Sequence, residues 1–600
     1  MGIPGLGRTL EKSTNYRKYK TVQYELKESI DHLLFDFNGI VYTIEPTIKH
    51  KFKTGKSADY EKLLISEIIK YLQTIICVHI KPQKTVYIAI DGPVPRAKIY
   101  EQRKRRYKSL IEAKYKNEIK KKHNVPITNN WETSTHMIPG SAFMLKLEKA
   151  FKKAIKTKIF CGHKDIMVIL SPGNVPGEGE HKLHPIIHKI NKSKKMKNDK
   201  ICIFSPDGDL IVLALVWGKN NTYLMDNFQD NNRIRHLYKF KFTSIDNYRT
   251  ALSKYMRVNM DIEQFSVDFN LLMCFLGNDF VRGFVITPSK DTDVSLEKII
   301  FPSYEGIYNR KKKPLQKLSK KKIIINHAFL TDLLESIGKN EDFRFKMFYK
   351  KQIENHMLGK YRGRNNKDND KTEYEKDISI LDHTPICSSK NIFLYKKYIA
   401  DFRKIDYSLP YKKWRKQYYK SYFGFDIDSA KSRGKLVEIV HEYLKSILYV
   451  QKYYFFECPS WSWYYRYETS PLPSDIAHVM RREIPNINKI SFELGTPYTP
   501  VQQMMFVMPL EYVNRLPKSK SFKKIMTGSK YKYLYPIKFD LEVTLGIKFI
   551  YGEVKLPPFN DDIIKDIKKI EDTFTGNSKT RNKLTYKLFK KDCAKIKNKK

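Results

Sequence analysis

Short, almost uniformly apolar runs alternate along the first half of the chain with longer stretches in which apolar residues recur at helical spacing. His32–Phe37 (HLLFDF), Thr85–Ile90 (TVYIAI), Ile166–Leu170 (IMVIL) and Ile201–Phe204 (ICIF) read as strands buried on both faces. Lys56–Tyr71 and Ala97–Lys122 read as helices between them, the second of them strongly basic. Strands alternating with helices predict a mostly parallel α/β sheet flanked by helices. In such sheets the ligand site lies outside the carboxyl ends of the strands. Three of the four strands carry an acid there: Asp36, Asp91 and Asp207. Asn38-Gly39 reads as a turn. Ser266–Phe280 reads as an apolar helix running into Gly277-Asn278-Asp279.

The texture changes after about residue 300. Arg310–Lys313 and Lys320–Lys322 are charge runs, and Arg362–Asp377 is polar and low in complexity. From about 390 to 570 the chain is rich in aromatic residues, with a long amphipathic helix expected over Lys435–Val450. The expected organisation is 1–300 as the first domain, 301–385 as a Lys-rich variable linker or insert, 386–575 as a second, mainly helical region packed on the first, and 576–600 as a basic disordered tail.

Charge narrows the function classes. Lys and Arg number 112 against 64 Asp and Glu, a net charge of +48, which favours a polyanionic partner. Seven scattered cysteines with no Cys-x-x-Cys pair predict free thiols in a reducing compartment, not a disulfide frame or a zinc site. The run MGIPGLGRTL has no apolar signal core, and no run reads as a membrane span. The expectation is a soluble intracellular monomer without a membrane partner, with cytoplasm favoured over nucleus.

Seven acids stand in or beside Gly-containing turns after apolar elements: Asp36, Asp91, Glu178, Glu180, Asp207, Asp209 and Asp279. Each alone has an ordinary explanation as a helix cap or turn. Together they suit hard divalent cations, which take oxygen ligands. Mg²⁺ uses only one or two carboxylates per ion, so seven acids suit two ions rather than one. After Asp91, the residues Lys98, Gln102, Arg105 and Arg106 share one helical face that could receive a phosphate.

With these motifs in order, the chain resembles the Xrn/Rat family of 5′-to-3′ exoribonucleases, related to the flap endonucleases. The resemblance rests on MGIPGL, LLFDFNGIVY, AIDGPVPRAKIYEQRKRRYKS, IPGSAFM, VPGEGEHK, SPDGDLIVLAL, LLMCFLGNDF, CPSWSWYYRY and TPYTPVQQMMFVMP. It implies a flap-nuclease-like (PIN-type) core and Mg²⁺-dependent, processive hydrolysis of single-stranded RNA bearing a 5′ monophosphate. Two Mg²⁺ ions are implied, with Mn²⁺ as a substitute, held by the seven acids. Lys98, Gln102, Arg105 and Arg106 match the family's 5′-phosphate pocket, and the segment holding Trp461 and Trp463 resembles the part that stacks the leading bases. Where the family usually has a stacking His, this chain has Tyr42, and FVRGFVITP after Asp279 departs from the family's usual run. The extent of the chain suits a compact, viral-type member. The competing readings are a flap-type DNA nuclease and a catalytically inactive RNA-binding scaffold.

Overall fold

The computed structural model describes residues 19, 21–49, 57–127, 131–160, 166–218, 221–229, 235–256, 258–284, 295–319, 322–347, 349–350, 372–375, 377–378, 405–429, 431–539, 541–542 and 553–585. MGIPGL, the low-complexity stretch up to 371 and the basic tail beyond 585 lie outside that set, as does the side chain of Asp209.

The main sheet has seven strands: β1 (Val22–Gln23), β2 (His32–Asp36), β3 (Thr85–Ala89), β4 (Met167–Ser171), β5 (Ile201–Phe204), β6 (Thr222–Gln229) and β7 (Arg235–Ser244), in the spatial order β1-β7-β6-β5-β2-β3-β4. β4, β3, β2, β5 and β6 are mutually parallel, and β7 and β1 close one edge antiparallel. The chain runs β2 to β3 to β4 in one direction and then returns to the other side of β2 for β5. The β2/β5 boundary is therefore a switch point, where a crevice opens at the carboxyl edge. Phe35 sits opposite Phe204, and Asp36 opposite Ala89, so the acids that follow these strands leave the sheet at one level.

Alternation along β2 and β3 divides the core. Leu33, Phe35, Val86 and Ile88 face one apolar layer, with Tyr60, Leu64, Ile68 and Phe151 from the helices Ser57–Thr74 and Ala142–Lys156. Leu34, Tyr87 and Ala89 face the other. That layer continues without a break through Leu183, Leu213 and Leu272 to Tyr443, Leu444 and Ile447 of the helix Ser432–Phe455. The second, helical region thus packs on the sheet's own core.

Two expectations change and one is narrowed. Asn38-Gly39 is not a turn but opens the helix Asn38–Lys49. The segment 301–385, expected as a linker or insert, is packed in its described first part. Helices Phe301–Lys311 and His327–Gly338 flank a small hairpin, and Tyr304, Leu330, Leu333 and Leu334 are buried. The run Arg310–Lys313 lies at the end of the first of these helices, while the apolar residues turn inward at helical spacing; Lys320 and Lys321 lie outside the described residues. Finally, among the described residues one helix, Asp59–Ile80, is long and apolar enough to cross a membrane by length and composition. Its Leu64, Ile68, Leu72, Ile75 and Ile76 are buried in the core beside β2 and β3.

Candidate metal and phosphate site

The acids gather at the carboxyl edge because each follows a buried strand or helix by no more than a short turn. Asp36 ends β2, and its carboxylate accepts a hydrogen bond from Ser205 Oγ at 2.9 Å. Asp91, just past β3, accepts from Asn38 Nδ2 at 2.8 Å and from the backbone N–H of Gly179 at 2.6 Å. Asp207 follows β5, and its N–H donates to Ser205 Oγ at 3.2 Å. Glu178 and Glu180 flank Gly179 at the start of the helix Gly179–Lys192. Gly177 stands at φ +112°, a conformation that favours glycine, and turns the chain into that helix. Gly179 serves by size: a Cβ there would lie 2.4 Å from Asp36 Oδ1 and 3.2 Å from Asp91 Oδ1. Buried Lys182 donates to the carbonyls of Ile90 (2.5 Å) and Pro172 (3.0 Å), which fixes this loop against the ends of β3 and β4.

Electrostatics shows how tightly the acids are packed. Burial raises the Asp36 carboxyl to about 8, with Asp91, Asp207 and Glu178 adding repulsion. Burial also raises Glu180 well above the carboxylate range, reinforced by Glu178, Asp207 and Asp36. Glu178 is raised as well, chiefly by burial, against the pull of Lys98. Asp279 behaves in the opposite way: burial pushes it up, but the Lys98 and Arg105 charges prevail and hold it well below the usual range. The Lys98 ammonium bridges the two, 2.5 Å from Glu178 Oε2 and 2.6 Å from Asp279 Oδ2.

The donor set fits hard divalent cations. It consists of oxygen ligands, and a nearby positive charge would offset the burial and mutual repulsion that raise Asp36 and Glu180. Among the described residues no three His, Cys, Asp or Glu side chains close on one ion-sized point. One or two carboxylates per ion is the geometry such cations use. Asp209 begins the helix Asp209–Trp217 in the same loop.

The face predicted to receive a phosphate lies on the basic helix Arg96–Lys122. Arg105 feels Asp279, Glu101, Tyr42 and Glu178, so it stands beside the acids. Arg106 is buried, donating to Ser134 O at 3.1 Å and Gln102 O at 3.0 Å, and burial lowers it to about 10. Tyr42 lies within electrostatic reach of both arginines and is 49% exposed. The Gln102 side-chain oxygen accepts from Gln503 Nε2 at 3.0 Å, so the second region reaches the same face. Lys98 differs from the sequence expectation, since its charge is spent between two acids.

The two tryptophans are packed. Trp461 is buried, and its carbonyl accepts the N–H of Arg96 at 3.0 Å, two residues from Lys98. Trp463 donates from Nε1 to Glu442 at 3.0 Å and lies against Tyr449, ring centroids 5.0 Å apart.

Three contributors escaped the sequence reading. Asn38, in Asn38-Gly39, reads from sequence as a turn residue. Ser205 carried no signal beyond lying before Pro206. Tyr453, whose hydroxyl donates to Glu178 Oε1 at 2.9 Å, is 275 residues away from its partner, and no local pattern could find it.

Comparison with known proteins accounts for nearly the whole chain. Residues 1–227 match a family model described as XRN 5'-3' exonuclease N-terminus, and residues 259–598 match one described as Xrn1 helical domain. Three curated relatives illustrate the similarity. The 5'-3' exoribonuclease 1 of Saccharomyces cerevisiae is 25% identical over 92% of this chain and 42% of its own length. That of Homo sapiens is 25% identical over 94% and 34%. The 5'-3' exoribonuclease 2 of Debaryomyces hansenii is 23% identical over 97% and 71%. The chain thus spans less than half the length of the first two.

Proposed function

The chain belongs to the XRN family of 5′-3′ exonucleases, and from that premise we propose that it is a processive 5′-to-3′ exoribonuclease acting in RNA decay. Its substrate is single-stranded RNA carrying a 5′ monophosphate, and its products are nucleoside 5′-monophosphates. The observation that carries this reading is the placement of Arg105 and Arg106, beside Tyr42, on the same helix whose Lys98 enters the acid cluster.

A terminal phosphate meets two guanidinium groups suited to bidentate recognition. The exposed ring of Tyr42 offers a face to the first base, and stacking of this kind tolerates any base. The phosphodiester one nucleotide further in then lies over Asp36, Asp91, Glu180 and Asp207. Two Mg²⁺ ions, or Mn²⁺ in their place, held by these acids with Asp209 would supply Lewis acidity to the scissile phosphate. Glu178, a further acid of that cation site, and Asp279 also hold the Lys98 ammonium between acid cluster and pocket. Release of one nucleotide leaves a new 5′ phosphate, which can occupy the same pocket.

The test is product analysis on end-labelled RNAs that differ only in their 5′ group, with Mg²⁺ and with chelator, alongside a 5′-flap DNA duplex. Mononucleotide release from 5′-monophosphate RNA alone, abolished by chelator and by Asp207→Asn, is the expected result. Equal cleavage of 5′-hydroxyl RNA would refute the pocket. Cleavage that survives chelation would refute the cation site.

A further inference from the structure

We propose that Tyr453 is a positioning residue, through which the helical second region fixes Glu178 and, beyond it, Lys98 at the edge of the acid cluster. The inference deepens the site proposed above and rests on that reading.

Tyr453 lies near the end of the helix Ser432–Phe455 and is only 2% exposed. Its hydroxyl donates to Glu178 Oε1 at 2.9 Å, while Oε2 of the same carboxylate meets Lys98 at 2.5 Å. Both oxygens are thereby constrained. With Lys98 alone, the carboxyl plane could swing about its terminal torsion, which is broad and has no sharp staggered wells. The ammonium continues to Asp279 at 2.6 Å and lies 5.6 Å from the centroid of the Phe280 ring. That ring in turn packs on Tyr453 at 5.0 Å, so the contacts form a closed circuit.

The tyrosine itself is held firmly. His181 lies against its ring at 3.5 Å, and Tyr449, one turn earlier on the helix, stacks at 5.8 Å. The next residue takes part too: the hydroxyl of Tyr454 accepts from Asn278 Nδ2 at 3.3 Å, and its carbonyl accepts from Trp217 Nε1 at 2.6 Å. Two consecutive residues of one helix therefore grip the loop of Glu178 and the turn that carries Asp279. A buried tyrosine could satisfy its hydroxyl on any carbonyl, as Tyr449 does on Ser460 O at 3.0 Å. Tyr453 instead spends its donor on an acid of the site. Hydrogen-bond partners of this second kind are worth about 10- to 100-fold in metal affinity or activity.

The experiment compares Tyr453→Phe with Tyr449→Phe, two changes that each remove one buried hydroxyl from the same helix face and keep the ring. Mn²⁺ is titrated into the full chain without RNA and the free ion is read by electron paramagnetic resonance, with thermal melting alongside. Tyr453→Phe is expected to weaken Mn²⁺ binding about 10-fold or more and to lower kcat with little change in KM. Tyr449→Phe is expected to bind Mn²⁺ as the wild type does. Mn²⁺ affinity unchanged in Tyr453→Phe overturns the proposal, as does equal weakening in both variants, which would indicate general loosening. Loss of affinity in Asp207→Asn with none in Tyr453→Phe defeats the positioning role alone. A wild-type chain that takes up no Mn²⁺ defeats the site as well.

Discussion

Gly179 offers the sharpest separation of activity from stability. Replacing it with Ala puts a Cβ 2.4 Å from Asp36 Oδ1, where ordinary contact begins at 3.4 Å, so the carboxylate must retreat by the difference of 1.0 Å. It has little freedom to do so. Ser205 Oγ holds its other oxygen at 2.9 Å, and the Ala89 carbonyl stands 3.1 Å from the same Cβ. Misplacement of a reacting group by about 1 Å can cost about 10²-fold in rate. Stability moves far less: overpacking costs about 1–3 kcal/mol, and a helical Gly→Ala change returns up to about 1 kcal/mol. Gly179→Ala should therefore melt within about 2 kcal/mol of wild type while its single-turnover cleavage of 5′-monophosphate RNA falls about 100-fold. Gly434→Ala is the matched control, a helical glycine whose added Cβ meets nothing within 4 Å. Wild-type cleavage by Gly179→Ala would remove Asp36 from the acids that act on the substrate.

Two further outcomes test the fold around the site. Glu341 is 3% exposed and accepts from Tyr411, Ser474 Oγ and the Ser474 N–H, and burial raises it from 4.5 to about 7, with Asp475 adding to the rise and Arg344 and Arg415 nearby. The folded chain keeps this proton where the unfolded chain has lost it, so stability should fall as pH rises from about 4.5 to 7, by about 3 kcal/mol. Glu341→Gln should flatten that part of the melting-versus-pH curve, and an unaltered curve would refute the assignment. Arg103→Met leaves the carbonyls of Leu534 (2.5 Å) and Pro557 (2.6 Å) without their donor. At about 1–3 kcal/mol for each unsatisfied group, the urea midpoint should fall by the equivalent of about 2–6 kcal/mol, with faster hydrogen exchange near 534 and 557. A loss below about 1 kcal/mol would refute this anchoring.

The strands were legible because burial on both faces writes itself as continuous apolar runs. Ile201–Phe204 is observed over the predicted residues, and His32–Asp36 ends one residue early. Asp36, Asp91, Glu178, Asp207 and Asp279 of the candidate site were legible for a related reason, each being the first charged group after an apolar run. Asn38-Gly39 misled because Asn suits both a turn and a helix start, and only the approach of Asp91 from the neighbouring strand decides between them. The role of Lys98 was half legible. Helical spacing put it on the face with Arg105 and Arg106, but its pairing with Glu178 and Asp279 depends on two segments far away in the chain. Tyr453 was not legible at all, because nothing near it in sequence differs from a core tyrosine.

The basic helix Arg96–Lys122 explains how the proposed phosphate pocket and the acids can hold a fixed separation. One face carries Lys98, Gln102 and Arg105 toward the site. Other positions on the same helix are buried anchors: Arg96 pairs with Asp561 and donates to Tyr498 at 2.9 Å, and Arg103 reaches the carbonyls of Leu534 and Pro557 over the ring of Phe559. Each anchor is a cation that could bind phosphate but is occupied by the second region instead. A helix is stiff along its axis, with 1.5 Å rise per residue, so holding residues 96 and 103 also holds 98, 102 and 105. The Arg and Lys density of this stretch is thus two populations seven or fewer residues apart, one structural and one facing the acid cluster. Packing of residues beyond 490 against the helix becomes a condition for the geometry of a site whose acids all precede residue 280.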